Sequence, residues 1–266
     1  MKITKGKLMV SLLALIMGIS ILSVTALAEE TTTEVNDLTS LTDALSNGGE
    51  IKLIDNITLE DKTTLSVTQD TVLDLNGFSI TRTGGESNGF IIEIKGASLT
   101  INDSEEGGGK IISSHPSYGY GIQLYSDSTL IMNGGSIETT QESIDIYTIT
   151  SNVKIELNDG TVTSSADNVL GIRGDSNIEV TINGGTLTSG EDARVAVYAS
   201  TYSANPIQFT MTGGSITSSG GGLQIYKGTE VTLGGDAKIE LSGNSGIQVQ
   251  ENSVLNVTGD ADISTS

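Results

Sequence analysis

Tyrosines recur between residues 118 and 226 at positions where they could together bind a sugar. The protein has seven tyrosines and only 4% aromatic residues, so a series of them is informative. Residues that alternate with an inward apolar pair, such as Ile144 and Ile146, face outward from a strand. Aligning such pairs along the chain predicts one outward column: Lys95, Tyr125, Tyr147, Arg173, Tyr198, Tyr226 and Gln250. The predicted neighbouring column is Glu93, Gln123, Asp145, Gly171, Ala196, Gln224 and Gln248.

These two columns predict a glycan-binding surface. Tyrosine rings offer apolar faces to sugar rings, and hydroxyl, amide and carboxylate groups beside them can bond sugar hydroxyls. The candidate ligand-binding residues are Gln123, Tyr125, Asp145, Tyr147, Arg173, Tyr198, Gln224 and Tyr226. Tyrosine is also a good strand former that stacks along a sheet, so cohesion of the sheet is the alternative explanation.

Catalytic pairs are not evident. Glycoside hydrolysis needs two carboxyl groups on either side of the bond to be cleaved. Glu105-Glu106 and Glu191-Asp192 are adjacent only in sequence and lie in glycine-rich turns. The turn over residues 102–109 offers oxygen ligands for calcium but lacks the spacing of a known calcium loop. We therefore predict no catalytic residue, no metal site and no cofactor.

The amino terminus predicts export. Lys2, Lys5 and Lys7 precede an apolar run over residues 8–22 and a small-residue site at 26–28, which is the pattern of a secretory signal peptide over residues 1–28. An uncleaved anchor helix is the alternative. Residues 29–36 are predicted to be a flexible linker.

The charge of the exported part limits its partners. All three basic residues of the predicted signal peptide are lost on cleavage, which leaves ten basic and 33 acidic residues and a net charge of −23. Nucleic acid and, after signal removal, membranes are therefore not expected as partners. The chain contains no cysteine, so burial and hydrogen bonding must stabilise it.

A repeat of about 25 residues organises the chain. Its copies read LIMNGGSIET, IELNDGTVTS, VTINGGTLTS and FTMTGGSITS. The fourth position of each copy is Asn133, Asn158, Asn183 or Thr212, so the steps are 25, 25 and 29 residues. Repeats of this length are typical of solenoids. Stacked asparagines are expected to form a hydrogen-bonded ladder that also includes Asn76 and Asn102.

Alternating apolar residues in every repeat predict strands that stack in parallel, like residue on like. The inward pairs of one strand are Ile122/Leu124, Ile144/Ile146, Leu170/Ile172, Val195/Val197, Leu223/Ile225 and Ile247/Val249. The predicted fold class is all-β, a single-stranded right-handed parallel β-helix with three sides, over residues 51–266. Isolated hairpins with Asn-Gly turns fit the three-segment repeat less well.

The two ends of the solenoid differ. Residues 37–50 predict a short capping helix and a turn, because Asp37 can cap the helix while Leu38, Leu41 and Leu45 share one face. The carboxyl end shows no cap, which predicts a fragment of a longer protein or a capping partner there.

The run from DLTSLTDALSNGG through IKLIDNITL to VLDLNGFSI, with the Asn-Gly-Gly coils that follow, resembles pectate-lyase-like right-handed β-helix proteins. It is most similar to their secreted and cell-surface members in Gram-positive bacteria. The resemblance implies three parallel sheets and an amphipathic amino-terminal helix. The Asn-Thr-Asp, paired-aspartate, Gly-His-Gly and Arg-x-Lys elements of the family's polygalacturonases are absent.

The sequence therefore predicts a noncatalytic, extracellular or wall-attached β-solenoid of adhesin type, whose partner is a glycan or another ligand on a host or cell surface. The alternative is a polysaccharide lyase or glycoside hydrolase that acts on an acidic polysaccharide. In that case Asp145 and Arg173 are the candidate catalytic residues.

Overall fold

A computed structural model describes residues 31–84, 89–105, 108–201, 206–243 and 245–265. The predicted signal peptide, residues 1–28, lies outside these ranges. The described chain forms a right-handed parallel β-helix of about eight turns, which confirms the predicted fold class. Every strand pair is parallel, as stacked coils require.

Each coil contributes one strand to each of three sheets. The first sheet contains β1 Thr33–Val35, β2 Gly49–Leu53, β5 Thr71–Asp74, β8 Ser98–Asn102, β16 Ile207–Met211, β19 Thr229–Leu233 and β22 Val254–Val257. The second contains β3 Ile57–Thr58, β6 Ser79–Arg82, β9 Lys110–Ser113, β14 Thr186–Ser189, β17 Ser215–Ser218, β20 Lys238–Leu241 and β23 Asp262–Thr265. The third contains β4 Leu65–Val67, β7 Phe90–Ile94, β10 Tyr120–Leu124, β15 Val197–Thr201, β18 Leu223–Ile225 and β21 Ile247–Val249.

Three long strands pass around corners and so belong to more than one sheet. They are β11 Thr129–Thr139, β12 Ile144–Ser164 and β13 Leu170–Ile182. Strand β12 pairs in all three sheets, first with β10, then with the start of β11, and finally with β14. The central coils are therefore the most continuous part of the solenoid.

The core is a set of aliphatic rows, one residue per coil. In the third sheet Ile122 aligns with Ile144, and Ile144 aligns with Leu170. All three side chains are fully buried. Each such burial stabilises the fold by roughly 1.5 to 3 kcal/mol before conformational entropy is subtracted. Because the chain has no disulfide, these rows and the hydrogen-bonded strand ladders hold the coils together.

Helix α1, Leu38–Asn47, lies at the amino end of the solenoid. Asp37 caps it by accepting a hydrogen bond from the Ser40 backbone N–H at 2.7 Å, while the Ser40 hydroxyl oxygen accepts one from the Asp37 N–H at 3.2 Å. Leu41 and Leu45 are buried against the first coil. The helix therefore covers apolar surface at this end, where sheet strands would otherwise be open.

The linker predicted for residues 29–36 is wrong over residues 33–35. Strand β1 occupies them and pairs with β2, so that Thr33 lies beside Ile51 and Val35 beside Leu53. Val35 is buried in the core. A three-residue strand with one inward apolar side chain leaves too little alternation for the sequence alone to reveal it.

The Asn-Gly-Gly corners join the first sheet to the second. The third residue of each corner, as in Gly135, Gly160 and Gly185, has a positive φ, which glycine adopts without strain. A Cβ on Gly160 would come within 2.6 Å of the Gly135 carbonyl oxygen of the preceding coil. The coils can therefore stack at this corner only because side chains are absent.

The carboxyl-terminal strands β21, β22 and β23 carry several apolar side chains that are largely exposed, among them Val254 and Val257. No helix among the described residues is both long enough and apolar enough to cross a membrane.

Candidate functional site

The third sheet presents four tyrosines on its outer surface, and we call this surface the tyrosine face: Tyr125, Tyr147, Tyr198 and Tyr226. They form two pairs. The ring centroids of Tyr125 and Tyr147 are 5.5 Å apart, and those of Tyr198 and Tyr226 are 5.2 Å apart. Arg173 lies between the pairs, with its guanidinium carbon 5.6 Å from the centre of the Tyr198 ring. The structure thus brings together the aromatic residues that the sequence predicted.

The predicted register is wrong at one coil. Leu170 pairs with Val197 rather than with Val195, so the inward pair of β15 is Val197 and Ala199. Tyr198 consequently lies beside Gly171, in the column predicted to contain Ala196. Val195, Val197 and Ala199 are all buried and apolar, so the alternation fits a strand that begins at either valine. The sequence therefore did not reveal that the pairing starts two residues later, at Val197.

Gln123 and Asp145 do not face solvent as predicted. They are only 8% and 6% exposed. Gln123 donates a hydrogen bond from Nε2 to Asp145 Oδ2 at 2.8 Å. Glu142, a residue that the sequence did not indicate, precedes β12, and its backbone carbonyl accepts a hydrogen bond from the Gly121 N–H of the preceding coil. Its side chain and that of Asp145 are both bound by Arg173.

Glu142, Asp145, Arg173, Gln123 and Asn168 form one connected group, which we call the carboxylate cluster. Nη2 of Arg173 donates hydrogen bonds to a carboxylate oxygen of Glu142 and to one of Asp145. Asn168 donates from Nδ2 to Glu142 Oε1 at 2.8 Å. Glu142 is 5% exposed. Two buried acids thus share a single arginine nitrogen.

Gly171 makes room for the carboxylate cluster. A Cβ at this position would lie 1.9 Å from Glu142 Oε1 and 2.7 Å from Arg173 Nη2. In the preceding coils the same column contains Glu93, Gln123 and Asp145. Gly171 interrupts this column of polar side chains. That interruption is the signal in the sequence that a side chain from elsewhere, here Glu142, could fill the space.

Burial and charge perturb the acid and the base of the cluster. Burial, and next the nearby Asp145, raise the pKa of Glu142 to about 7, although Arg173 and Asn168 partly oppose the shift. Burial lowers the pKa of Arg173, but attraction to Glu142 and Asp145 outweighs this and leaves it above its ordinary value. Arg173 is therefore a permanent cation, whereas Glu142 can gain or lose a proton near neutral pH.

Tyr120 borders the carboxylate cluster. Its pKa is raised by burial and then by the charges of Asp167 and Glu142. Its hydroxyl therefore keeps its proton at neutral pH and can donate a hydrogen bond. Tyr120 is a further residue near the site that the sequence analysis did not select.

A bulge in β12 projects side chains from the edge of the tyrosine face. Ile146 pairs with Ile172 and Thr150 pairs with Gly174, so three residues of β12 lie opposite Arg173 alone. Tyr147 is 39% exposed and Ile149 is 69% exposed as a result. Bulges of this kind turn side chains away from the plane of the sheet and are frequent at functional sites.

The polar groups at the two ends of the tyrosine face are also paired. Lys95 Nζ lies 2.5 Å from Glu93 Oε2 and 5.3 Å from the centre of the Tyr125 ring. At the other end, the Tyr226 hydroxyl donates to Gln224 Oε1 at 3.2 Å. A cavity of about 230 Å³ adjoins this end, and its lining includes Gln224 and Gln248.

Two other cavities follow the glycine corner between the first and second sheets, and both include Asp159 in their lining. In the turn that begins at Asn102, Asp103 accepts hydrogen bonds from the backbone N–H groups of Gly77 at 2.7 Å and Gly109 at 2.9 Å. Glu106 of that turn lies outside the described residues. Over the described part of the chain, no three acidic or histidine side chains are grouped closely enough to hold a metal ion.

The sheets, the coil and the amino-terminal helix define a right-handed parallel β-solenoid with an aromatic outer face on its third sheet. Comparison with known proteins finds no family model, curated protein or solved structure that matches the chain.

Proposed function

We propose that the protein is a noncatalytic extracellular β-solenoid that binds glycans along its tyrosine face. The observation that carries this proposal is the arrangement of two tyrosine pairs on either side of Arg173 on one face of a rigid sheet. Exposed aromatic surface of this kind often marks a binding site. The signal-peptide pattern and the resemblance to secreted and wall-attached β-helix proteins support an adhesive role outside the cell.

The charges on the tyrosine face favour neutral sugars at neutral pH. Both of its cations are neutralised, since Lys95 pairs with Glu93 and Arg173 pairs with two carboxylates. The chain as a whole is strongly acidic, with a formal net charge of −20. An acidic polysaccharide would therefore meet net repulsion on this face.

The proposal is tested by measuring binding to an array of neutral oligosaccharides and then titrating the best ligand by calorimetry. Replacing Tyr147 or Tyr226 by alanine is expected to weaken binding about fivefold each, because an aromatic contact contributes roughly 1 kcal/mol. Tyr147→Phe retains the ring and should bind nearly as well as the wild type. Thr188→Ala changes the second sheet and serves as the control.

A chelator should leave binding unchanged. Unaltered affinity in both alanine variants would refute the tyrosine face as the binding surface.

A second candidate function is hydrolysis or lyase cleavage of an acidic polysaccharide. The observation that favours it is the pKa of Glu142, about 7, beside Asp145, because such a pair can divide acid and base roles. Against it, both carboxyl groups are covered and bound by Arg173. Release of reducing ends or unsaturated products from polymeric uronates, and loss of that activity in Glu142→Gln, would establish it.

A further inference from the structure

The carboxylate cluster contains two buried acids and one base, and this imbalance has a consequence for the tyrosine face. With both acids ionised, the cluster carries one net negative charge in the middle of the face. Two carboxylates that share one site resist simultaneous ionisation, because each raises the energy of the other's charged form. Arg173 reduces this repulsion but cannot balance two charges.

Glu142 is the acid that is placed to take up the proton. Asp145 accepts hydrogen bonds from Arg173 and from the neutral amide of Gln123. Glu142 likewise accepts from Arg173 and from the neutral amide of Asn168, so the two acids differ in what their amide neighbours could accept in return. Asn168 is only 2% exposed, and its Oδ1 atom is buried without a hydrogen-bond partner. Rotation of this amide would place Oδ1 against Glu142 Oε1, where it could accept a hydrogen bond from a protonated carboxyl group.

The other charged and titratable groups around Glu142 do not supply a second cation. Asp145 lies on β12, Arg173 on β13, Tyr120 on β10, and Asp167 in the loop before β13. Arg194 is 3.7 Å from Asp167 and is mostly exposed to solvent. Protonation of Glu142 is therefore the simplest way for the cluster to become neutral.

We propose that Glu142 is a proton-controlled charge switch of the tyrosine face: carboxylated sugars bind when Glu142 is protonated and are repelled when it is ionised, while neutral sugars bind in both states. The glycan part of this inference rests on the proposed function. Arg173 is the group that a sugar carboxylate would approach, because it is the cation between the two tyrosine pairs and, in the protonated state, has only Asp145 as an anionic partner.

The test compares a tetrasaccharide that contains glucuronate with its carboxyl methyl ester, so that only the charge differs. Both are titrated calorimetrically at about pH 5.5 and about pH 8.5, on either side of the expected titration. The affinity for the acid is expected to fall by about five- to tenfold at the higher pH, as for one added repulsive charge near a surface. The affinity for the ester should not change.

Glu142→Gln separates this switch from other effects of pH. Glutamine has the same size and can accept the bond from Asn168, but it cannot ionise, so the variant should bind the acid equally at both pH values. Glu179→Gln removes a charge from an exposed position of β13 on the first sheet and should behave like the wild type. A pH effect that persists in Glu142→Gln would overturn the inference, as would a wild-type protein with no pH effect.

Failure of the switch can be told apart from failure of glycan binding. If neither sugar binds at either pH, the proposed function is refuted. The pH-dependent choice between carboxylated and neutral sugars is then refuted as well. The ¹³C shift of the Glu142 carboxyl group then still reports whether the switch exists. A midpoint above about pH 6 supports the proton switch, and a midpoint below it, toward the ordinary range of a glutamate, refutes it.

Discussion

At the scale of single residues, the space above Gly171 decides whether the carboxylate cluster can form. We expect Gly171→Ala to destabilise the protein by about 1 to 3 kcal/mol, because its Cβ would overlap Glu142 and force the buried ion pairs apart. Urea unfolding measures the loss. Gly246→Ala is the matched control, since a Cβ there meets no atom within 4 Å. Equal stability of the two variants would show that the cluster does not need this space.

Glu142 should also make stability depend on pH. Its pKa rises from an ordinary 4.5 to about 7 in the folded protein, so the folded state binds more protons than the unfolded state within that interval. Stability from this group is therefore complete below about pH 4.5 and is lost as the pH rises through 7. The loss is on the order of 3 kcal/mol.

The measurement is the free energy of unfolding of the wild type minus that of Glu142→Gln, followed from about pH 4 to about pH 8. Subtraction cancels the contributions of other carboxyl groups, such as that of Asp74. Burial raises the pKa of Asp74, but hydrogen bonds from Ser104 and Asn76 and the charge of Lys52 together outweigh burial and leave the pKa lowered. A flat difference curve would mean that Glu142 titrates alike in the folded and unfolded states.

At the scale of the structural element, asparagine ladders link successive coils. Asn133 donates to Asn102, Asn158 to Asn133, and Asn183 to Asn158, each at 2.9 Å. Asn76 was predicted to belong to this ladder but instead donates to the Leu53 carbonyl oxygen. A second ladder that the sequence analysis missed runs through Asp127, Asn152 and Asn177.

Asn158→Ala should destabilise the protein by about 1 to 2 kcal/mol, because it removes hydrogen bonds on both sides of the central ladder position. Asn158→Thr is the matched control. Thr212 occupies the equivalent position of a later coil and donates to Asn183 Oδ1 at 3.1 Å, so threonine retains a donor. Thermal unfolding should place the threonine variant between the wild type and alanine. If alanine and threonine unfold together, the ladder contributes little.

The sequence predicts strands well where apolar residues alternate with polar ones, so that only one face of the strand is apolar. It predicts them poorly where both faces are apolar or where the strand is very short. The row Ile122, Ile144, Leu170 has polar neighbours and was placed correctly. Near β15, Val195, Ala196, Val197 and Ala199 are all buried, so alternation could not select the register. Glu142 was missed for a related reason: it lies in a loop, and strand periodicity carries no information about where a loop folds.

At the scale of the whole molecule, the solenoid arranges the tyrosine face as a linear track. Tyr125 and Tyr226 lie on coils separated by four inter-strand spacings, or about 19 Å along the solenoid axis. A compact pocket would bind one or two sugars, whereas a track of this length should contact several successive rings of an extended chain. The stacking of coils therefore sets the length of ligand that can be recognised.

Affinity should accordingly rise with oligosaccharide length until the ligand spans about 19 Å, and then level off. Calorimetric titration of a graded series of one neutral oligosaccharide measures this. The double variant Tyr125→Ala/Tyr226→Ala removes both ends of the track, so its affinity should level off at a shorter ligand while short ligands bind as before. An affinity that is already maximal for a disaccharide would instead indicate a single sugar subsite, with the remaining tyrosines serving only the cohesion of the sheet.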